Sequence, residues 1–446
     1  MTVFLPPPDF LDSPRGRDLL RPARSRAPGR TDTLPDRASV AVVGGGLAAI
    51  ALAGTLWHAG VTDVVIVDRQ GRLGGRFLAR ADLLGQRVLR SPYDHHPGVE
   101  GYRDCELLDF ARLHWDALTD VERRQVRMAQ AGHRSVVPLD VFEAYCDHVV
   151  TAHGLARRTW RAEVRHVSPG PDEVLVETSL GDIIADTAVL CTGEEPVEAP
   201  PTWWPEQDRP SGVHYWYEPV TDTAGTTIVV GAGLSAAHLV ANALAGGGRV
   251  RWILRAAAEH YQCADVNASF FRAEGRARFH GTSWQDRLDL MRQQRRASVM
   301  FEFRPGFTTA EAQGRLTVHR GVDVVRVRAL PAGDTAVELA DGTTVTGDRA
   351  VLALGTRAMT GEGLLPAEVV AVRDGWPDLD ETTLAYSAAP RVHALGAAAC
   401  MVLGPAARNI DGHRVGASRV VTSILAHLAA PAAAGSSFDA VEHAHA

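Results

Sequence analysis

One stretch limits the folds open to this chain more than any other: Ser39-Val-Ala-Val-Val-Gly-Gly-Gly-Leu-Ala-Ala-Ile50. Val40 to Val43 is a short, apolar, β-branched run, and it reads as a strand buried in a parallel sheet. Gly44, Gly46 and Ala49 follow as G-x-G-x-x-A. The first glycine permits a tight turn out of the strand. The second lets backbone approach a diphosphate, and Ala49 lets the next helix pack closely on the sheet. A helix over 47–59 then aims its N-terminal N–H groups at that anion. A second strand ends at Asp68, near the spacing of an acid that binds ribose hydroxyls. Residues 38–60 hold no Asp, Glu, Lys or Arg, so a single transmembrane helix would fit on length alone. The glycine triplet and the switch from β-branched to Ala/Leu-rich sequence argue instead for strand, turn and helix.

The motif recurs. Thr227-Ile-Val-Val is followed by Gly231, Gly233 and Ala236 in the same spacing, with Ser235 inside it. The strand after its helix, Arg249–Leu254, closes on Arg255 where the first unit has Asp68. An acid there binds a free ribose hydroxyl, whereas an arginine accommodates a 2′-phosphate. The first site therefore suits an adenine dinucleotide with a free ribose, and the second suits NADPH over NADH. Two further strands close on small residues, Thr187 to Thr192-Gly193 and Arg349 to Gly355. The second of these suggests a return crossover between domains.

At 446 residues the chain has room for two domains, or one core with an insertion. All 46 basic residues are arginine, which removes Schiff-base catalysis by lysine and a Walker-type phosphate lysine. The net charge of -7 gives no reason to expect nucleic acid. Cys105, Cys146, Cys191, Cys263 and Cys400 are scattered, with no C-x-x-C or zinc spacing. This fits a reduced, cytoplasmic compartment and no metal site. Residues 1–37 are rich in Pro, Arg and Asp, lack the apolar core of a signal peptide, and read as a disordered arm. The tail 431–446 reads the same way.

Between the glycine motifs several segments carry polar chemistry. In Gly71–Phe77, Gly75 and Arg76 would suit a loop lying across a flat ring or a diphosphate; an ordinary turn would look the same. The Pro-bounded loop from Arg90 to His96 gathers Arg90, His95 and His96, either as a pocket wall or as a solvated loop. Pro138-Leu-Asp140 with Glu143 resembles a capping box opening a helix to about Val150. A hairpin is expected over 164–178, and a helix over 412–428 whose N-terminus could stabilise negative charge on a cofactor ring. Asn409 precedes that helix.

Two dinucleotide signatures, each followed later by a strand ending in glycine, resemble the two-dinucleotide-binding flavoproteins. The match is closest to the flavin-dependent class B monooxygenases, which include flavin-containing monooxygenases and lysine/ornithine-type N-hydroxylases. The resemblance covers residues 39 to about 428. It implies an α/β fold of two Rossmann-like domains, the NADPH domain (216–345) inserted into the FAD domain (38–215 and 346–430). It implies FAD on Gly44, Gly46, Ala49 and Asp68, with Thr192, Gly193 and Gly396 nearby, and NADPH on Gly231, Gly233, Ser235, Ala236 and Arg255. The implied activity is NADPH-driven oxygenation through a C4a-hydroperoxyflavin, most simply N-hydroxylation of a small amine by O2, with Arg90, His95 and Asn409 as pocket candidates. A reductase passing electrons to a separate acceptor is the alternative. Three departures stand out. The fingerprint F-x-G-x-x-x-H is reduced to Ser211-Gly-Val-His214. The segment Asp265–Phe271 resembles an N-hydroxylase substrate segment over only a short length. The Gly-Asp pair near the ribityl chain is replaced by Gly396-Ala397, leaving Asp411 as a substitute or the contact absent.

Overall fold

The computed structural model of the chain describes residues 13–15, 29–99, 106–133, 135–205, 208–220, 224–262, 273–331 and 333–429. The Asp265–Phe271 segment and the 431–446 tail lie outside them. Two sheets organise the molecule, the first with a parallel centre and antiparallel additions, the second parallel throughout. In the first, strands run in the order Ala385–Tyr386, Ala389–Ala394, Gly181–Leu190, Arg37–Val43, Val64–Asp68 and Thr159–Arg161. Arg37–Val43 is central and parallel to both neighbours, with Val40 opposite Val64 on one side and Thr187 on the other. Val40 and Val42 are wholly buried, and burying a side chain of that size stabilises the fold by about 1.5–3 kcal/mol. That is why an uninterrupted β-branched run marks the middle of the sheet. Helix Leu47–His58 and the C-terminal helix Ile410–Ala429 pack against each other beside it. The expected hairpin forms from Val164–Pro169 and Val174–Thr178.

The second sheet has five parallel strands in the order Val213–Tyr215, Arg349–Leu352, Thr226–Val230, Arg249–Leu254 and Leu316–Arg320. It is inserted between strands of the first, as the expected architecture requires, but its limits are wider than 216–345. Val213–Tyr215 and Arg349–Leu352 hydrogen-bond into the second sheet. The reason is the connector. Glu194–Pro196 and Thr356–Ala358 pair antiparallel, so the chain changes domain at that ribbon and both flanking strands follow the second domain.

The arm departs from the expected disorder at its described pieces. The buried Ser13 hydroxyl donates to Glu122 at 2.9 Å, and Arg15 bridges Asp82 at 2.6 Å and Asp140 at 2.5 Å. Further on, the Arg30 N–H donates to the Thr159 carbonyl at 2.9 Å, the Arg161 N–H donates to the Arg30 carbonyl at 2.7 Å, and the Arg30 guanidinium lies 4.6 Å from the Trp160 ring centre. Salt links and ring contacts of this kind leave no periodicity in a sequence.

The capping box also sits elsewhere. Helix Leu139–Ala152 has Pro138 at its N-cap and no side-chain cap. Asp140 and Glu143 bind Arg15 instead. The box forms one helix earlier, between Thr119 and Glu122 on Asp120–Gln130. Among the described residues no helix is long and apolar enough to cross a membrane.

Candidate functional site

The two glycine turns have the same construction. Gly44 sits at φ 98°, and a Cβ there would stand 2.6 Å from the Cys191 carbonyl oxygen. Gly231 sits at φ 135°, and its Cβ would collide with the Ala353 carbonyl. Each first glycine is therefore demanded by the protein's own neighbouring strand end. The middle glycines are not. A Cβ on Gly46 would meet no atom within 4 Å, and one on Gly233 only Ala297 Cβ at 3.9 Å. Each leaves a cradle that the protein does not fill.

The helices that follow, Leu47–His58 and Leu234–Ala245, have no side-chain N-cap. The first N–H groups of a helix have no intrahelical partner, so both cradles offer bare donors to an anion. Ala49 and Ala236 are wholly buried, as close helix packing requires. Ser235 lies in the first turn of the second helix. Uncapped donors beside an open glycine fit the diphosphate of a dinucleotide in each sheet.

Asp68 ends the first unit's second strand. Its carboxylate accepts from the N–H of Gly45 at 2.8 Å, Gln70 at 2.8 Å and Gly71 at 2.9 Å. The Gly74 N–H donates to the Gly45 carbonyl at 2.7 Å, so the Gly71–Phe77 loop is fastened to the glycine turn. Gly75 begins the helix that follows, and Arg76 in its first turn is exposed. Partial desolvation of the guanidinium and then the Arg69 charge lower the Arg76 pKa, while Asp68 and Glu195 pull it back up. Thr192 lies against Gly44, its Cα 3.5 Å from the Cβ position there, and Gly193, at φ 72°, faces open space. In the second unit, Arg255 is exposed, with no hydrogen-bond or ion-pair partner among the described residues.

The Arg90–His96 loop bridges parts of the molecule rather than lying in solvent. Arg90 donates to Ser298 at 2.7 Å, next to the Ala297 that faces Gly233. The Asp94 carbonyl accepts from Arg414 on the C-terminal helix at 3.3 Å. His95 is buried with no partner on Nδ1 among the described residues, and His96 Nδ1 pairs with the Tyr145 hydroxyl at 3.0 Å. Asn409 stands just before the C-terminal helix, its carbonyl accepting from the His413 N–H at 3.0 Å and its side-chain nitrogen sealed without a partner. Asp411 faces Arg414 at 3.8 Å.

Two groups of residues escaped the sequence reading. Glu194, in the connector ribbon, pairs with Arg295 of the second domain at 2.8 Å and with Arg408 of the first at 2.6 Å. His413 projects towards Gly396, which sits at φ 90° at the end of the Ala389–Ala394 strand. No spacing rule links these residues, since each meets its partners only after the chain has crossed between domains. Among the described residues no group of three or more His, Cys, Asp or Glu could hold a metal ion.

Residues 41–195 match the FAD-NAD(P)-binding family model. No curated protein matches the chain. Solved structures do. An ornithine N-hydroxylase from Kutzneria sp. 744 aligns with a TM-score of 0.69 at 18% identity, over 88% of this chain and 100% of its own. The cadaverine monooxygenase of desferrioxamine biosynthesis from Erwinia amylovora, bound to FAD, gives 0.70 at 14% identity, over 91% and 98%. A flavin-containing monooxygenase from Stenotrophomonas maltophilia gives 0.59 at 18% identity, over 89% and 100%. With its two glycine turns, its inserted second sheet and these likenesses, the chain has the fold of the two-dinucleotide-binding flavoproteins.

Proposed function

We propose that the chain is an FAD- and NADPH-dependent monooxygenase that oxygenates a small nucleophile, with N-hydroxylation of an amine as its reaction and a C4a-hydroperoxyflavin as its oxygenating species. One observation carries this reading: two uncapped glycine helices beside two sheets, the first followed by Asp68 and the second by Arg255, which has no partner among the described residues. The first cradle suits FAD, with Gly75, Arg76, Thr192, Gly193 and Gly396 around it. The second suits NADPH, its 2′-phosphate meeting Arg255. Bound flavin supplies the hydride and oxygen chemistry. The chain's own residues bind, orient and exclude water. The amine is favoured because solved proteins of this fold act on ornithine and cadaverine. Arg90, held at the border of the second cradle, and His95 and Asn409 are the pocket residues.

The test is anaerobic reduction with NADPH, then rapid mixing with oxygenated buffer while the flavin spectrum is followed. An oxygen adduct that persists before oxidised flavin returns supports the monooxygenase and opens an amine screen read by product hydroxylamine. Fast reduction with immediate reoxidation and no adduct replaces it with the reductase and a separate electron acceptor.

A further inference from the structure

The described pieces of the N-terminal arm converge on one target, the loop and helix over 71–83. The first cradle depends on that loop. Its Gly74 N–H donates to the Gly45 carbonyl at 2.7 Å, and its Gly71 N–H donates to the Asp68 carboxylate at 2.9 Å. Gly29 of the arm lies backbone to backbone on Gly71. A Cβ on Gly29 would stand 2.6 Å from the Gly71 carbonyl oxygen, and one on Gly71 would stand 2.6 Å from Arg161 Cβ. Gly71 is therefore wedged between the arm and the edge strand Thr159–Arg161. The arm is fixed to that strand by a single bridge, with the Arg30 N–H on the Thr159 carbonyl and the Arg161 N–H on the Arg30 carbonyl. Arg15 holds the other end. It binds Asp82, on the helix that the loop opens, at 2.6 Å, and it shares Glu143 with Arg72 of the loop, at 3.4 and 2.8 Å.

This hold is local and polar. Arg30, Thr31 and Asp32 are exposed, and Leu34 is the residue after them that enters the first core. A segment with few buried apolar contacts and solvent-exposed hydrogen bonds opens at far less than the cost of global unfolding. The arm is thus able to let go of Gly71 while the sheet behind it stays folded. We propose that Gly29–Asp32 and Arg15 form a two-point clasp on the 71–83 segment, and that opening of this clasp gates the exchange of the flavin dinucleotide in the first cradle. A ligand seated on Asp68 and the glycine turn needs the loop in its closed place. Opening of the clasp and departure of the ligand therefore favour one another, and a bound dinucleotide holds the clasp shut by the same factor. The proposal rests on the FAD part of the functional reading above.

The experiment is limited cleavage of the full-length protein by trypsin, with the Arg30–Thr31 bond followed by mass, alongside the rate of FAD release from the holoprotein. Bound FAD is expected to slow cleavage at Arg30 about tenfold or more, whereas NADP+, seated in the other sheet, gives no protection. Gly29→Val drives a side chain into the Gly71 backbone and is expected to speed FAD release about tenfold. Arg15→Gln, at the other point, is expected to speed it about fivefold. Arg30→Ala keeps both backbone bonds and is expected to stay within about threefold of the wild type. Should Gly29→Val fail to fold, Gly29→Ala takes its place. Equal cleavage at Arg30 with and without FAD overturns the proposal. So does initial cleavage at Arg30 no faster than at Arg251 inside the second sheet, because the arm would then open only with the whole fold. Unchanged FAD release in both the Gly29 and Arg15 variants also overturns it, as does a parallel loss of NADP+ affinity. A protein that binds no FAD defeats the functional reading instead; ADP, which carries the adenosine and diphosphate, then takes the place of FAD in the cleavage assay and decides the clasp. FAD binding without an oxygen adduct defeats the monooxygenase alone and leaves the clasp in place.

Discussion

In the first sheet the strand after the glycine helix ends on Asp68, a carboxylate already satisfied by the backbone N–H groups of Gly45, Gln70 and Gly71. In the second it ends on Arg255, exposed and unpaired among the described residues. The turns themselves match, down to a first glycine pressed against a neighbouring strand end and a middle glycine facing space. What differs is how much of each site is assembled before a ligand arrives. The first is tied together and loses little freedom on binding, which suits a cofactor that stays. The second presents a solvated cation on a strand end, which suits a ligand that must leave each cycle. Pre-organisation of this kind adds affinity by lowering the cost of ordering.

The comparison breaks most readily at Asp68. Replacing it with alanine strands the Gly45 and Gln70 N–H groups, while Gly71 keeps the Asp68 main-chain carbonyl at 3.1 Å, and we expect a loss of about 2 kcal/mol in denaturant unfolding together with loss of FAD. Unfolding at the wild-type midpoint would show that the loop needs no such tie.

Arg255→Ala should act on the other side alone. The KM for NADPH is expected to rise about 10- to 100-fold, the range for a charge-assisted bond, with NADH kinetics and stability unchanged. An equal rise for NADH would remove the 2′-phosphate assignment.

Between the two sites, Glu194→Gln weakens the links to both Arg295 and Arg408. These pairs are partly exposed, so a loss of about 1 kcal/mol is expected in a thermal melt. A melt that separates into two transitions would show that this junction keeps the domains cooperative.

The mildest probe is pH. Burial lowers His393, in the first domain, and His238, in the second, to about 4. In the unfolded chain these groups take up protons near pH 6.5 while the folded ones do not. Their contribution is complete above that pH and is lost as the pH falls from about 6.5 towards 4. From pH 7 to pH 6 the loss is roughly 0.7 kcal/mol for each. His238→Gln and His393→Gln should each flatten the slope, and a slope carried by only one of them would mean that the two cores are unequally sealed.

Both glycine turns were legible because they rest on local rules: a β-branched run, a turn that only glycine makes, and a helix packed through a small residue. Asp68 and Arg255 were legible from spacing, but their different bonding was not, since it depends on loops folding back over the turn. The Asp140–Glu143 pattern misled for a related reason. The residues that make a box by spacing were captured by Arg15, more than a hundred positions away in sequence. His413 and Glu194 carry no local signal. Each meets its neighbours only on another element, so it is topology that places them.

The connector ribbon has a consequence for the chain as an object that can be edited. Glu194–Pro196 and Thr356–Ala358 are hydrogen-bonded neighbours, so the inserted domain leaves and rejoins the host at a single point. Residues 197–355 form a cassette. Excision with a short turn across the ribbon would leave every strand of the first sheet in register, and it would bare two apolar surfaces: Leu84, Val88 and Val136, whose packing partners lie in the cassette, and the part of the first core that Leu288 and Met291 of the cassette join. A cassette of the same fold from another protein would need to match both apolar seats, the Arg287 contacts with Glu381 and the Met401 carbonyl, and the gap between the two ribbon strands. The nicotinamide preference of such a chimaera would then travel with the module rather than with the host.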